Sequence, residues 1–284
     1  MKPAPFAYEK PASVDAVCEL LRRHGDGAKV LAGGQTLIAT LNMRLSTPEV
    51  LIDITGIPAL AGIDAGDSTV RIGACSTHRD IELSPDIARR IPLLAQAAPL
   101  IGHAAVRNAG TIGGSLALAD PAAEWPGCAL ALEARIVTAD GARERSVQAR
   151  DFFRGLYETA LAPHEIITAV EFPVLGPAYR SVFLELARRH GDYAIVGVAA
   201  VARAAAGRLD DLRLAFIGAG PTPVLARHAM DALEGQPAGT ADTAAAEAAL
   251  EHDLAPIGDL YTSHATKMHL ARVLLRRAIG ALAP

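Results

Sequence analysis

Apolar side chains recur at helical spacing at Val14, Val17, Cys18 and Leu21, which gives residues 13–25 one buried face. Ser13 can accept hydrogen bonds from the first free amides of that helix, and Gly25 can end it. The next apolar run, residues 28–32, stops at Gly33-Gly34 and predicts a strand entering a tight turn. A second helix is expected to begin near Thr36. Residues 50–54, Val-Leu-Ile-Asp-Ile, lie between Pro48 and Gly56 and predict another buried strand. The first 55 residues therefore read as a β-α-β-α-β unit.

Alternation returns over residues 69–73 and predicts a strand. Residues 77–101 read as helical, punctuated by Pro85, Pro92 and Pro99. Residues 101–115 carry several glycines and fit neither helical nor strand periodicity, so a long functional loop is expected there. Strands follow over 134–139, turning at Asp140-Gly141, and over 166–172, stopping at Pro173. Gly176-Pro177 marks a boundary. Beyond it, residues 180–186, 193–203 and 208–217 predict three strands, the last two joined as a hairpin through Ala206-Gly207. Two alanine-rich helices and an amphipathic helix over 262–281 complete an α+β chain with no internal repeat.

Composition narrows the function. With 51% hydrophobic and 20% charged residues among 284, the chain can bury a substantial core and is not disordered. Lys and Arg total 27 against 31 Asp and Glu, a net charge of −4 that offers no field for a nucleic-acid partner. The three cysteines, Cys18, Cys75 and Cys128, are far apart, which suggests neither a disulfide framework nor a metal site. No apolar stretch reaches the length of a signal peptide core or a membrane span, so a soluble, cytoplasmic protein is expected.

Two glycine pairs carry the main candidate chemistry: Ala32-Gly33-Gly34-Gln35-Thr36, and Thr111-Ile112-Gly113-Gly114-Ser115. Adjacent glycines let backbone amides converge on an anion without a Cβ in the way, and the following hydroxyl adds a donor. A tight turn is the commoner use of one such pair; two of them raise the case for a phosphate cradle. The third cluster, Gly218-Ala219-Gly220, begins like a dinucleotide fingerprint but holds Pro223 at the third glycine position, and reads as a strand-to-helix turn. His264 and His269, five apart on one predicted helix, are poorly placed to share a metal ion. No GxSxG elbow occurs. Asp120 and Glu124 can accept hydrogen bonds from sugar-like hydroxyls, or can serve a helix start, Asp120 as its cap and Glu124 against its dipole. Tyr193, within Arg-Arg-His-Gly-Asp-Tyr-Ala at a strand break, can stack on a flat ring.

Taken together in order, AGGQT (residues 32–36), VRNAGTIGGSLALADPAAEWP (106–126), HEIITAVEFP (164–173) and RRHGDYA (188–194) resemble the medium, FAD-binding subunit of the xanthine dehydrogenase and carbon monoxide dehydrogenase family of molybdenum hydroxylases. The resemblance spans essentially the whole chain. It implies a two-lobed vanillyl-alcohol-oxidase-like (PCMH-type) FAD-binding domain, with lobes over 1–55 and 56–175, followed by a smaller α+β domain of antiparallel sheet plus helices over 178–284. FAD would lie between the lobes. Its pyrophosphate would be held by the backbone of Ala32, Gly33, Gly34, Gln35 and Thr36 and by Thr111, Gly113, Gly114 and Ser115. Glu124 stands where relatives commonly place an Asp that binds the ribityl hydroxyls, Ile101 matches an apolar residue near the flavin, and Tyr193 can cover the isoalloxazine ring. Residues 183–186, where relatives often place a lysine, read Phe-Leu-Glu-Leu.

The same resemblance implies two partners, a molybdopterin-binding large subunit and a small subunit with 2Fe-2S clusters, in a dimer of heterotrimers. Molybdenum and iron-sulfur would reside in those partners only. Electrons would pass from the clusters through FAD to an acceptor, and no side chain of this chain would be catalytic. Two other readings remain at this stage: a stand-alone FAD-dependent oxidoreductase, and a non-catalytic assembly subunit that kept the fold.

Overall fold

A computed structural model of the chain describes residues 2–205, 207–238 and 240–283. The first unit runs β1 (Ala7–Glu9), α1 (Val14–His24), β2 (Ala28–Leu31), α2 (Leu37–Asn42) and β3 (Val50–Asp53). Its three strands are parallel, in the order β1-β3-β2, so the expected β-α-β-α-β unit forms. The end signals of α1 act as the sequence suggests: the Ser13 hydroxyl accepts from the Ala16 amide, and Gly25 turns the chain at φ +51°.

The second unit begins with β4 (Ile63–Ala65) and β5 (Thr69–Gly73), followed by α3 (His78–Leu83), α4 (Pro85–Arg90), α5 (Pro92–Ala97), α6 (Ala104–Arg107), α7 (Ile112–Leu118) and α8 (Glu124–Ala131). It closes with β6 (Arg135–Ala139), β7 (Glu144–Gln148), α9 (Ala149–Phe152), β8 (Phe153–Gly155), β9 (Glu158–Thr159) and β10 (Ile166–Pro173). An antiparallel sheet of order β4-β5-β10-β6-β7 carries the helices. Pro85 and Pro92 occupy first turns of helices, where a missing N–H costs nothing, so the prolines that punctuate this stretch start helices as well as stop them.

Residues 101–115 differ from expectation. They hold α6 and the first turn of α7 rather than one long loop. The helices are hidden in the sequence because α6 has only four residues and α7 starts with Gly113 and Gly114, which depress helical propensity. Asp120 also departs from its expected role as the α8 cap. Its carboxylate accepts from the Ala122 amide at 2.9 Å in a turn, while Ala123 is the N-cap and supplies no side-chain bond.

The third unit is an antiparallel sheet of β11 (Tyr179–Leu186), β12 (Val196–Ala205), β13 (Arg208–Ile217) and β14 (Val224–Leu225). It is backed by α10 (Arg227–Leu233), α11 (Ala244–Asp253) and α12 (His264–Ala281). Pairing of β12 with β13 extends to Ala205 opposite Arg208, a hairpin register; Ala206, half of the predicted turn, lies outside the described residues. β12 starts three residues later than predicted, at Val196, which leaves Tyr193 in the preceding turn. The turn at Gly218-Ala219-Gly220 leads first into β14 and only then into a helix. Gly218 sits at φ +70°, and a Cβ there would lie 2.5 Å from the Ile195 carbonyl oxygen.

The alternation of β12 and β13 joins the units. Val196, Val198, Ala200, Leu214 and Phe216 pack with α10–α12, whereas Ala199, Val201, Ala215 and Ile217 belong to the same core as Trp125, Ile136 and Val170 of the second unit. A sheet buried on both faces needs near-continuous apolar strands, and its alanines let α8 come close. A Cβ on Gly127 of α8 would stand 2.6 Å from the Ile217 side chain.

Candidate functional site

The chain turn after β2 and the α6–α7 segment meet backbone to backbone. A Cβ at Gly33 would fall 2.6 Å from the Gly110 Cα, so glycine is required by close approach there. Gly34 adds a left-handed turn at φ +69°. Next to this contact opens a cleft of about 830 Å³, within the range of pockets that enclose cofactors. All twelve residues singled out in the sequence line it. Ala32, Gly33, Gly34, Gln35 and Thr36 come from the β2–α2 turn, and Thr111, Gly113, Gly114 and Ser115 from the start of α7. Ile101, Glu124 and Tyr193 complete the set.

The two glycine turns contribute different chemistry. Among the described residues, the amides of Gly33, Gly34, Gln35 and Thr36 have no hydrogen-bond acceptor, and Gln35 folds back so that its side-chain amide donates to the Gly33 carbonyl at 3.1 Å. Four successive N–H groups without an acceptor, on residues that line a cleft, are donors available to an anion. At α7 the amides are already taken. Gly113 donates to the Ala74 carbonyl at 2.9 Å, Gly114 to the Thr111 hydroxyl at 3.1 Å and Ser115 to the Thr111 carbonyl at 3.0 Å. The expectation that the backbone of both turns offers free donors therefore holds for the first only. The second offers hydroxyls, and its glycines serve close packing: a Cβ on Gly113 would lie 2.7 Å from the Ala74 carbonyl oxygen, so Gly113 lets α7 sit against that strand end, and one on Gly114 would be 3.0 Å from the Thr111 hydroxyl.

The opposite end of the cleft is acidic and phenolic. Glu124, the first residue of α8, is 9% exposed, and burial followed by the Glu185 and Asp120 charges pushes its carboxyl up to about 8. Burial also raises Asp120. Tyr193 remains 64% exposed; desolvation of its hydroxyl, then Asp120, Tyr157 and Glu124, push the phenol up. Burial thus disfavours the charged form at each of these groups, most strongly at Glu124.

His78 and Tyr157 line the cleft too and were not singled out in the sequence. The Trp125 indole N–H donates to His78 Nδ1 at 2.9 Å. An indole can only donate, so Nδ1 must accept and the ring proton sits on Nε2. Burial, then Arg107, push His78 down to about 4, which keeps the ring neutral. A Thr-His pair before an amphipathic helix carries no sequence signal for this; its partner is 47 residues away in the chain. Thr77 does announce the helix itself, through a capping box with Asp80.

The cysteines occupy separate packing environments. Cys18 and Cys75 pack with the core of the first unit, Cys128 under the C-terminal sheet. Burial pushes the thiols of Cys18 and Cys75 up to about 11 and that of Cys128 up as well, which disfavours the thiolates that metal ligation needs. Among the described residues, no helix is long and apolar enough to cross a membrane.

The family comparisons give the class, the FAD-binding flavoprotein subunits of oxidoreductase complexes, with which the cleft and the two-domain fold agree. Residues 4–175 match the family described as "FAD binding domain in molybdopterin dehydrogenase", and residues 181–282 match "CO dehydrogenase flavoprotein C-terminal domain". The chain belongs to the family of medium, FAD-binding subunits of molybdenum hydroxylases. It is 37% identical to the nicotine 6-hydroxylase medium subunit of Paenarthrobacter nicotinovorans, covering 98% of each chain. It is 36% identical to the carbon monoxide dehydrogenase medium chain of Hydrogenophaga pseudoflava over 99% of this chain and 98% of that one. Among solved structures, carbon monoxide dehydrogenase from H. pseudoflava superposes with a TM-score of 0.96 at 37% identity, covering 99% of this chain and 98% of its match. Quinoline 2-oxidoreductase from Pseudomonas putida 86 gives a TM-score of 0.91 at 35% identity, with 98% and 97% covered. The expected family, two-domain α+β fold and FAD cofactor are thereby shown, and the chain is an oxidoreductase subunit that acts within a complex.

Proposed function

We propose that this chain carries electrons from 2Fe-2S clusters of a small partner subunit, through FAD held in the cleft, to an acceptor. The molybdenum cofactor sits in a large partner subunit, and the assembly is a cytoplasmic dimer of heterotrimers. The observation that carries the reading is the run of four acceptor-less amides, Gly33 to Thr36, in residues that line a cleft of cofactor size. Bound there, FAD supplies the electron-carrying chemistry of the subunit.

The chain's own residues bind and orient. The amides of Gly33, Gly34, Gln35 and Thr36 hold the pyrophosphate, with the hydroxyls of Thr111 and Ser115 added from α7. Ala32 and Gly114 keep side-chain bulk out of the cleft wall, and Gly113 lets α7 pack against Ala74 so that its hydroxyls reach the cleft. Ile101 supplies an apolar wall, Asp120 and Glu124 face the ribityl hydroxyls, and Tyr193 covers the ring. A net charge of −4 suits this division, because backbone dipoles grip the anion without a cluster of lysines or arginines. We assign the two lobes of the FAD site to residues 1–55 and 56–175, and the C-terminal domain to 178–284.

Relatives of nearly equal identity are named for nicotine and for carbon monoxide. Substrate choice therefore belongs to the partner that carries molybdenum, and this chain is a common electron outlet. The test is co-purification with the products of the neighbouring genes. One FAD per chain, bleached when substrate is added and restored by an electron acceptor, is the expected result. A flavin-free complex, or a flavin that substrate cannot reduce, would overturn the proposal.

A further inference from the structure

Glu124 has an acidic neighbour that the family comparison does not explain. Glu124, Gly127 and Cys128 share one face of α8, at spacings of three and four, and this face rests on the C-terminal sheet. The contact point is Ile217, which a Cβ on Gly127 would meet at 2.6 Å. A Cβ on Gly197 would lie 2.8 Å from Ile217 and 3.2 Å from the Glu185 Cβ, so Glu185 stands beside that contact. Glu185 pairs in register with Gly197, and by strand alternation it lies on the same side as buried Phe183, toward α8. One carboxylate oxygen of Glu185 is fully buried and has no hydrogen-bond partner. Glu124 is itself nine-tenths buried and lines the cleft, and among the described residues its carboxyl has no ion-pair partner.

We propose that Glu185 is a positioning residue that keeps Glu124 a neutral carboxylic acid, so that Glu124 meets the ribityl chain of FAD as a hydrogen-bond donor rather than as a carboxylate acceptor. The inference rests on the FAD reading of the cleft. Two carboxyls in a dry interface cannot both ionise cheaply, and a buried carboxylate oxygen without a donor favours the protonated form. The groups that face Glu124 agree in sign. Asp120 from the preceding turn and Glu185 from β11 raise it, Cys128 on its own helix is a thiol, and Tyr193 beyond Asp120 is a phenol. Only its own backbone amide at the helix start opposes them. Burial lifts Glu185 in the same direction, to about 7.

FAD seated over Glu124 removes the last of its water and favours the neutral acid further. Binding must then weaken as pH rises through the ionisation of Glu124 near 8. The experiment measures the FAD dissociation constant of the full chain by quenching of flavin fluorescence between pH 6 and 9.5, together with proton uptake from the buffer dependence of the binding enthalpy. Affinity is expected to be flat at low pH and to fall about tenfold per pH unit above the midpoint, with uptake approaching one proton per FAD there. Glu185→Gln should move the midpoint to lower pH, and Glu124→Gln, which donates but does not ionise, should flatten the profile.

Affinity that is constant or rises with pH, no proton uptake above pH 8, or an unmoved midpoint in Glu185→Gln each overturns the inference while FAD binding itself stands. The proton-uptake measurement needs only the wild-type chain, so the proposal stays exposed even where a variant fails to fold. Absence of FAD binding at every pH would instead overturn the proposed function, and this inference with it.

Discussion

At the residue scale, Gly33 carries the tightest constraint in the cleft. It touches the Gly110 backbone, and its own amide is one of the four open donors. A side chain there must push the β2–α2 turn away from the α6–α7 segment. Gly33→Val is expected to abolish FAD retention, read as loss of the visible flavin spectrum in the purified complex. Gly280, whose Cβ would meet nothing within 4 Å, makes the control: Gly280→Ala should retain full flavin content. Gly33 and Gly113 look alike in the sequence, each leading a glycine pair. Their difference, an open amide at one and an amide spent on Ala74 at the other, depends on a strand end 39 residues earlier in the chain and could not be read locally.

At the element scale, Asp53 ties the first sheet together at the end of β3. It accepts from the Thr55 amide at 2.8 Å and hydroxyl at 2.6 Å, from the Tyr8 hydroxyl on the β1 edge strand, and pairs with Lys10 at 3.2 Å. Burial alone would raise its carboxyl, but the hydrogen bonds from Thr55, Tyr8 and Lys10 win and hold it at about 2. A carboxyl depressed from the ordinary 3.8 to about 2 stabilises the fold above the higher value, and that stability is lost as pH falls toward the lower. The gap corresponds to about 2 kcal/mol. Asp53→Asn is therefore expected to cost about that much at pH 7 and to converge with wild type near pH 2, as measured by urea denaturation across the acid range. The sequence predicts this strand well, because Val-Leu-Ile-Asp-Ile is continuous and bounded by Pro48 and Gly56. It does not reveal that the lone acid in the run is the anchor, since Tyr8 lies 45 residues away.

At the scale of the whole molecule, the FAD-binding and C-terminal parts share one core. Ile217 on β13 and Trp125 on α8 belong to the same buried cluster, and the Gly218 amide donates to the Pro121 carbonyl at 2.7 Å, just ahead of α8. The C-terminal domain thus supports the helix whose first residue faces the cleft. Ile217→Ala, at a fully buried site, is expected to cost about 2–5 kcal/mol and to weaken FAD binding although Ile217 does not line the cleft. Calorimetry of the full chain should show one cooperative transition that the variant lowers as a unit. Two separate transitions, with only the later one shifted, would contradict a shared core.

What the sequence determined by itself is whatever is encoded over short distances. Helix caps at Ser13 and Gly25, the strand patterns of β2, β3, β5, β6 and β10 to β13, the proline-started helices α4 and α5, and the ordered motifs that mark the family are each set by neighbours within a few residues. Local steric and hydrogen-bond preferences suffice for those. Only the tertiary structure decided which amides remain open, which histidine nitrogen carries the proton, and that Glu124 and a carboxylate oxygen of Glu185 are both buried. Hydrogen-bond competition, desolvation and charge–charge repulsion are set by neighbours in space, and the chain brings those neighbours together from positions tens of residues apart.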